Sequence, residues 1–180
     1  MSRAAIRPDL SILTMAEILE AKPRVGYYLN NEPDRTELGE VMETKLSEIQ
    51  SRPVVIQEDS SVYNAVVTLF LEDIGTLFVN DEDGYLVGIV SRKDLLKITI
   101  GESDIQKLPV SVVMTRMPNI VVTKDDETFY TAAQKIVEYK VDALPVVVEE
   151  EFEGKTRYKV TGRFSKTNLA TTLVSHFSEM

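Results

Sequence analysis

Ser91, Arg92, Lys93 and Asp94 stand together where the apolar run Gly88-Ile89-Val90 ends. If that run is a strand that delivers Ser91 to the start of a helix, the free backbone N–H groups and the positive dipole end of the helix favour an anion there. The Ser91 hydroxyl and the two adjacent cations suit phosphate oxygens. The Asp94 carboxylate, one turn into the helix, can accept both vicinal hydroxyls of a ribose. Together the four residues would grip a nucleotide. A capping box, with Ser91 at the N-cap and an acid three residues on, explains Ser91 and Asp94 without any ligand. Spacing alone leaves both readings open.

Other chemistry is scarce. The sequence has no cysteine and one histidine, so disulfides, thiolate metal sites, Cys nucleophiles and His-paired triads have nothing to be built from. Asp81-Glu82-Asp83-Gly84 lacks the spacing of a calcium loop and carries an Asp-Gly pair that favours a hairpin, so it reads as a turn. His176, beside Phe177, reads as a terminal-helix or surface residue, and Glu149-Glu150-Glu151 as a solvated loop. No carboxylate pair sits in a catalytic motif and there is no Walker loop, so no enzyme and no catalytic cofactor or metal is expected.

The chain has 180 residues, 43% of them hydrophobic, which allows one full domain or two compact ones with a real core. No apolar run approaches the roughly 20 residues of a membrane span, and the N-terminus lacks the layout of a signal peptide. A soluble cytoplasmic protein with no membrane partner is expected. The net charge of −9 argues against a general nucleic-acid coater. Residues 1–28, however, carry four bases (Arg3, Arg7, Lys22, Arg24) against three acids (Asp9, Glu17, Glu20), leaving −10 for the rest. A slightly basic head on an acidic body points to two units with different partners. The boundary is expected near Asn30-Asn31-Glu32-Pro33-Asp34, a polar linker.

The body is a duplication. Val54-Val55-Ile56 and the following Glu58-Asp59-Ser60-Ser61-Val62 line up, at an offset of 67, with Val121-Val122-Thr123 and Asp125-Asp126-Glu127-Thr128-Phe129. Ile74-Gly75-Thr76-Leu77-Phe78-Val79 falls on Val141-Asp142-Ala143-Leu144-Pro145-Val146. After a connection seven residues longer in the second copy, Gly88-Ile89-Val90-Ser91 falls on Gly162-Arg163-Phe164-Ser165. Each copy of about 60 residues reads as a strand, a capped helix, two strands joined by a hairpin, and a closing helix. The first helices carry apolar stripes at Val62, Val66, Leu69 and Phe70, and at Phe129, Ala133, Ile136 and Val137. The fold class is α+β, two βαββα units packed together because neither alone buries enough.

The repeated unit, with its Gly-x-x-Ser-x-x-Asp or Asn closure and its Leu144-Pro145-Val146 strand, resembles a tandem pair of CBS domains, the Bateman module. The resemblance covers about residues 38–177 and implies a regulatory sensor of adenosyl ligands, with Ser91 and Asp94, flanked by Arg92 and Lys93, on phosphate and ribose. It also implies a second site at Ser165, Lys166 and Asn168. Asn168 replaces the usual acid and lacks the charge-assisted strength of a carboxylate, so this second site is expected to be weaker, differently selective or empty. The adenine pocket, by the same resemblance, would be lined near Ile49 and Arg52, Thr115 and Asn119, and Ala143, Leu144 and Pro145.

In the head, Ile6, Leu10 and Leu13 keep helical spacing, with Ser2, Arg3 and Arg7 on another side and Pro8 straining the helix or setting its start. Ile18-Leu19-Glu20-Ala21 and Val25-Gly26-Tyr27-Tyr28-Leu29 flank Lys22-Pro23-Arg24 as two strands flank a basic turn. An amphipathic arm packed on the body, or a helix with a basic-tipped hairpin, fits equally. Residues 2–15 and 19–27 closely resemble the recognition helix and wing of the CcpN-type transcriptional repressors, which join a winged helix-turn-helix to a CBS pair and control gluconeogenesis. Leu108-Pro109-Val110 and Val113-Met114-Thr115-Arg116-Met117-Pro118-Asn119-Ile120 resemble the link between the halves in that family.

The expected organisation is thus residues 1–30 as the C-terminal half of a winged helix-turn-helix, 31–37 as linker, 38–103 as the first CBS domain and 104–180 as the second. The resemblance implies a ligand-responsive repressor of central carbon metabolism that senses AMP, ADP or ATP and works as a homodimer. Ser2, Arg3 and Arg7 would lie at groove or phosphate, with Lys22 and Arg24 at the wing. A helix-turn-helix also needs a first helix across the DNA backbone, and roughly 30 residues of such scaffold would have to be supplied for the head to bind an operator. The alternative is a CBS module that binds a nucleotide and controls a protein partner.

Overall fold

A computed structural model describes residues 10–15, 19–23, 26–29, 35–100 and 104–178. The chain divides into two units, residues 1–40 and 41–180. In the first, residues 10–15 are helical (α1), and β1 (Leu19–Lys22) pairs antiparallel with β2 (Gly26–Leu29), with Lys22 opposite Gly26. The Lys22 ammonium lies 4.9 Å from the centre of the Tyr28 ring. Ser2, Arg3, Arg7 and Arg24 lie outside the described residues.

Helix α2 (Arg35–Glu43) ends in the second unit and is followed by α3 (Leu46–Ile49). The first repeat then has the expected order: β3 (Val55–Gln57), α4 (Val62–Leu71), β4 (Thr76–Asn80), β5 (Leu86–Ser91) and α5 (Arg92–Ile100). A 3-10 turn (Val110–Val112) and a short strand β6 (Thr115–Arg116) lead into α6 (Phe129–Tyr139), β7 (Ala143–Phe152), β8 (Lys155–Ser165) and α7 (Lys166–Ser178). Sheet order in the first repeat is β3-β4-β5-β6, with β3 parallel to β4 and the other pairs antiparallel.

The second repeat departs from the expectation at its leading strand. Only Thr123 pairs there, as a single parallel bridge to Val146. Proline supplies the reason. In the first repeat the Phe78 N–H donates to the Val54 carbonyl at 3.1 Å. The matching residue, 67 further on, is Pro145, which has no N–H to give to Val121. What survives is the pair of bonds around Thr123, from Thr123 N–H to the Pro145 carbonyl and from Val147 N–H to the Thr123 carbonyl.

Both leading helices begin at the capping residues the sequence marks. Ser61 Oγ accepts from Asn64 N–H at 3.1 Å, and Thr128 Oγ1 from Thr131 N–H at 3.2 Å. Val62, Ala65 and Leu69 of α4 pack on Leu77, Val79, Val90 and Leu95, while Phe129, Ala132 and Ile136 of α6 pack on Leu144, Val146 and Phe164. Phe78, Leu86, Ile120 and Val147 form a third cluster that joins the repeats.

The segments ahead of the repeats are exchanged, and this exchange places the site residues. Val41 and Leu46, ahead of the first repeat, are buried in the core of the second. Leu46 N–H donates to the Glu127 carbonyl and Phe129 N–H to the Thr44 carbonyl. Reciprocally, Val110 enters the core of the first repeat, and Val62 N–H donates to the Leu108 carbonyl. Two glycines admit the crossing segments. A Cβ on Gly88 would sit 2.1 Å from Met114 Sδ, and one on Gly162 would sit 1.7 Å from Gln50 Oε1.

The extra length of the β7–β8 hairpin also has a use. Its Arg157 ion-pairs with Asp81 and Asp83 of the β4–β5 turn and lies 4.3 Å above the Tyr85 ring. Glu149-Glu150-Glu151 is therefore strand β7 rather than a solvated loop: Glu149 pairs with Lys124 at 3.1 Å, and Glu150 accepts from the Tyr85 hydroxyl at 3.0 Å. Asp81-Glu82-Asp83-Gly84 is the expected turn, with Asp81 Oδ1 accepting from Asp83 and Tyr85 N–H. His176 lies in the last turn of α7. Among the described residues no helix is long and apolar enough to cross a membrane, and no group of His, Asp and Glu could hold a metal ion.

Candidate functional site

Each repeat ends its last strand at a serine that opens a helix, and each of these junctions forms one wall of a cleft between the repeats. The first cleft, of 340 Å³, is lined by Ser91, Lys93 and Asp94 from the β5–α5 junction, by Thr76 and Ile89, and by Thr115, Asn119, Ile120 and Val121 from the segment before the second repeat. Tyr139, Lys140, Val141, Asp142 and Ala143 close it. Lys140 adopts the left-handed conformation that stops α6, with φ of 54°.

The capping box forms: Asp94 Oδ2 accepts from Ser91 N–H at 3.0 Å and from Ser91 Oγ at 2.5 Å, and Asp94 N–H points to Ser91 Oγ at 3.4 Å. All of the acceptor bonds fall on Oδ2. Asp94 Oδ1 accepts none among the described residues, so a half-buried carboxylate oxygen with two lone pairs is left beside the cleft. Lys93 and Lys140 supply positive charge, and Ile89, Ile120, Val121 and Val141 supply apolar wall. A flat apolar ring, a diol and an anionic group each have a matching surface in this one cleft.

The second cleft, of 490 Å³, is lined by Ser165, Lys166, Thr167, Asn168 and Thr171 of the β8–α7 junction together with Arg163, Ser51, Asp73, Ile74, Gly75, Thr76, Arg92, Lys93, Asp142 and Ala143. Its capping pair repeats the first in detail, with Asn168 Oδ1 accepting from Ser165 N–H at 3.1 Å and from Ser165 Oγ at 2.6 Å. The remaining valences differ. Asn168 Nδ2 donates to the Ile49 carbonyl at 2.9 Å and to Ser51 Oγ at 2.8 Å, and the side chain is buried.

Of the residues nominated from the sequence, Ser91, Lys93, Asp94, Thr115, Asn119 and Ala143 meet at the first cleft. Arg92, Lys93, Ala143, Ser165, Lys166 and Asn168 meet at the second. Arg92 turns away from the first because its Nε donates to the Ile74 carbonyl at 2.9 Å. Ile49, Arg52, Leu144 and Pro145 line neither. Ile49 packs against the second core, Leu144 is fully buried in it, Pro145 is buried, and Arg52 points to solvent beside Ser51, the residue that does reach a cleft.

Sequence reasoning passed over Lys140, Asp142, Ser51 and Arg163. For Arg163 a signal existed. Aligning the copies sets it opposite Ile89, a cation against an apolar residue at the same wall position. Burial holds the Arg163 guanidinium below its usual pKa.

Two βαββα units with exchanged leading segments and a cleft at each strand-to-helix junction define a tandem CBS pair. A family model of the CBS domain matches residues 38–101 and 110–174. The transcriptional repressor CcpN of Bacillus subtilis (strain 168) is 46% identical over 176 residues, which cover 97% of this chain and 81% of that protein. Among solved structures, the CBS domain pair of MJ0100 in complex with 5-methylthioadenosine and S-adenosyl-L-methionine superposes with a TM-score of 0.61 at 25% identity, over 73% of this chain and 97% of that one. CBSX2 in complex with AMP superposes with a TM-score of 0.58 at 26% identity, over 73% and 97%. The chain belongs to the CBS-domain proteins and, among them, to the family of the CcpN repressor.

Proposed function

We propose that the chain is a cytoplasmic, non-enzymatic transcriptional repressor of the gluconeogenic type, and that an adenine nucleotide, AMP, ADP or ATP, binds its first cleft and sets the DNA-binding state of the head. One observation carries the reading: Asp94 completes its cap with one oxygen and leaves the other without a hydrogen bond among the described residues, next to Lys93 and Lys140 and an apolar wall. The identity with CcpN over 97% of the chain supports the link to DNA. Solved CBS pairs that carry AMP or S-adenosyl-L-methionine support the adenosyl ligand. Ser2, Arg3, Arg7, Lys22 and Arg24 are the head residues assigned to the operator, Lys22 from its place at the end of β1.

Regulation requires the nucleotide to favour one of two arrangements of the pair, since a ligand with equal affinity for both shifts nothing. Dimerisation is part of the proposal. Phe70 and Val137, 67 apart, occupy the same position on α4 and α6 and are 84% and 73% exposed. Leu71, Leu96, Ile100 and Val174 extend these apolar faces, and a second copy would cover them. Phe70→Glu should shift sedimentation toward the monomer.

The test is retention of operator DNA by the protein with and without each nucleotide, across a salt series. A nucleotide-dependent change in affinity and a steep loss with salt are expected. Binding that ignores all three nucleotides would overturn the sensing half of the proposal.

A further inference from the structure

The second cleft lacks what the first has and has what the first lacks. An Asn side chain offers two acceptor and two donor positions. In Asn168 both Oδ1 positions are taken by Ser165, and both Nδ2 hydrogens by the Ile49 carbonyl and Ser51 Oγ. The side chain is 7% exposed. Nothing in it is left for a ribose hydroxyl.

The charge changes in the opposite sense. Arg92, Lys93, Arg163 and Lys166 face Asp73 and Asp142 across this cleft. Asp73 lies 3.7 Å from Arg92, and Asp142 lies 2.6 Å from Lys166. Lys93 and Arg163 make no ion pair among the described residues. Arg163 Nε is buried with no hydrogen-bond partner among the described residues, which is unfavourable. Arg163 also stands where the first cleft has the apolar Ile89, and it is three residues before the start of α7, whose dipole adds to the positive field.

We propose that the second cleft binds the phosphoryl group of a small phosphate, free or esterified, on Arg163, Lys166 and Lys93, and does not recognise a nucleoside. Arg163 supplies the planar fork that suits phosphate oxygens. The cleft is large enough for a compact ester and has no open diol acceptor at Asn168. The inference builds on the nucleotide reading of the first cleft only as its contrast and stands without it.

Calorimetric titration of the full chain with inorganic phosphate, methyl phosphate (an ester without a diol) and adenosine tests it. Phosphate or methyl phosphate should bind wild type and Asp94→Asn equally, and the tighter of the two identifies a free ion or an ester as the natural form. Arg163→Gln should weaken that binding about tenfold or more. Lys166→Gln, an exposed change that leaves the fold intact, should weaken it several-fold. Adenosine binding should not respond to Arg163→Gln. Phosphate binding that is absent, unchanged in both cation variants, or lost in Asp94→Asn would overturn the proposal. Failure of AMP, ADP and ATP to bind wild type would instead remove the nucleotide reading alone.

Discussion

Replacing Asp94 by Asn separates its ligand role from its cap role, because the second repeat already shows an Asn in the same cap. Asn168 Oδ1 takes both bonds from Ser165 at 3.1 and 2.6 Å, as Asp94 Oδ2 takes both from Ser91 at 3.0 and 2.5 Å. The variant should therefore keep the helix start, at a cost of about 0.5–1.5 kcal/mol for the charge lost from the cap and the helix N-terminus. Ligand binding should respond more. A hydroxyl bonded to a carboxylate contributes about 1.5–3 kcal/mol and to a neutral group about 0.5–1.5, so each ribose hydroxyl loses about 1–1.5 kcal/mol. Two hydroxyls give about 2–3 kcal/mol, or a 30- to 150-fold weaker Kd. Calorimetry with AMP, ADP and ATP, beside a thermal melt of the same preparation, reads both quantities. All three nucleotides share the ribose, so all three should weaken by a similar factor. A Kd within threefold of wild type, with the cooperative melt retained, would refute the reasoning and leave Asp94 as a cap alone.

The reverse change, Asn168→Asp, should damage the fold. It sets a carboxylate oxygen against the Ile49 carbonyl where Nδ2 now donates at 2.9 Å, for about 1–3 kcal/mol of lost stability at neutral pH. That contact raises the folded-state pKa of the new carboxyl above its unfolded value, so the loss should shrink as pH falls through the folded value, as denaturant melts at neutral and mildly acid pH would show. Gly88→Ala should cost about 1–3 kcal/mol by overpacking, because its Cβ would lie 2.1 Å from Met114 Sδ, and the same change should cost less in a Met114→Ala background than in wild type, as urea unfolding would show. Ser61→Ala removes the acceptor for Asn64 N–H and should lower stability by about 1 kcal/mol in the same assay.

Local features were the legible ones. The 67-residue offset, the caps at Ser61 and Thr128 and the Asp-Gly turn each depend on neighbours in sequence, and each stands where the sequence puts it. Periodicity alone misplaced Phe70 and Val137. They complete an apolar stripe in the sequence, yet the buried positions are Ala65 and Ala132, whose small side chains let the helices approach their sheets. What was not legible depends on chain crossing. The exchange of leading segments decides that Ser51, rather than Ile49 or Arg52, reaches a cleft, and that Asn168 finds partners 117 and 119 residues away. No local pattern encodes those meetings. Pro145 lies between the two cases: its missing N–H was readable, but which bond it would cost became visible only once Phe78 was seen to donate to Val54.

The central claim is that an adenine nucleotide sits in the first cleft with its ribose on Asp94, and a crystal structure of the protein grown with ADP tests it directly. The account predicts both ribose hydroxyls within hydrogen-bond distance of Asp94 Oδ1, phosphates beside Lys93 or Lys140, and the ring against Ile120 and Val121. Density for ADP gripped through its ribose at the Asn168 cleft, or no ADP in either cleft at saturating concentration, would contradict it.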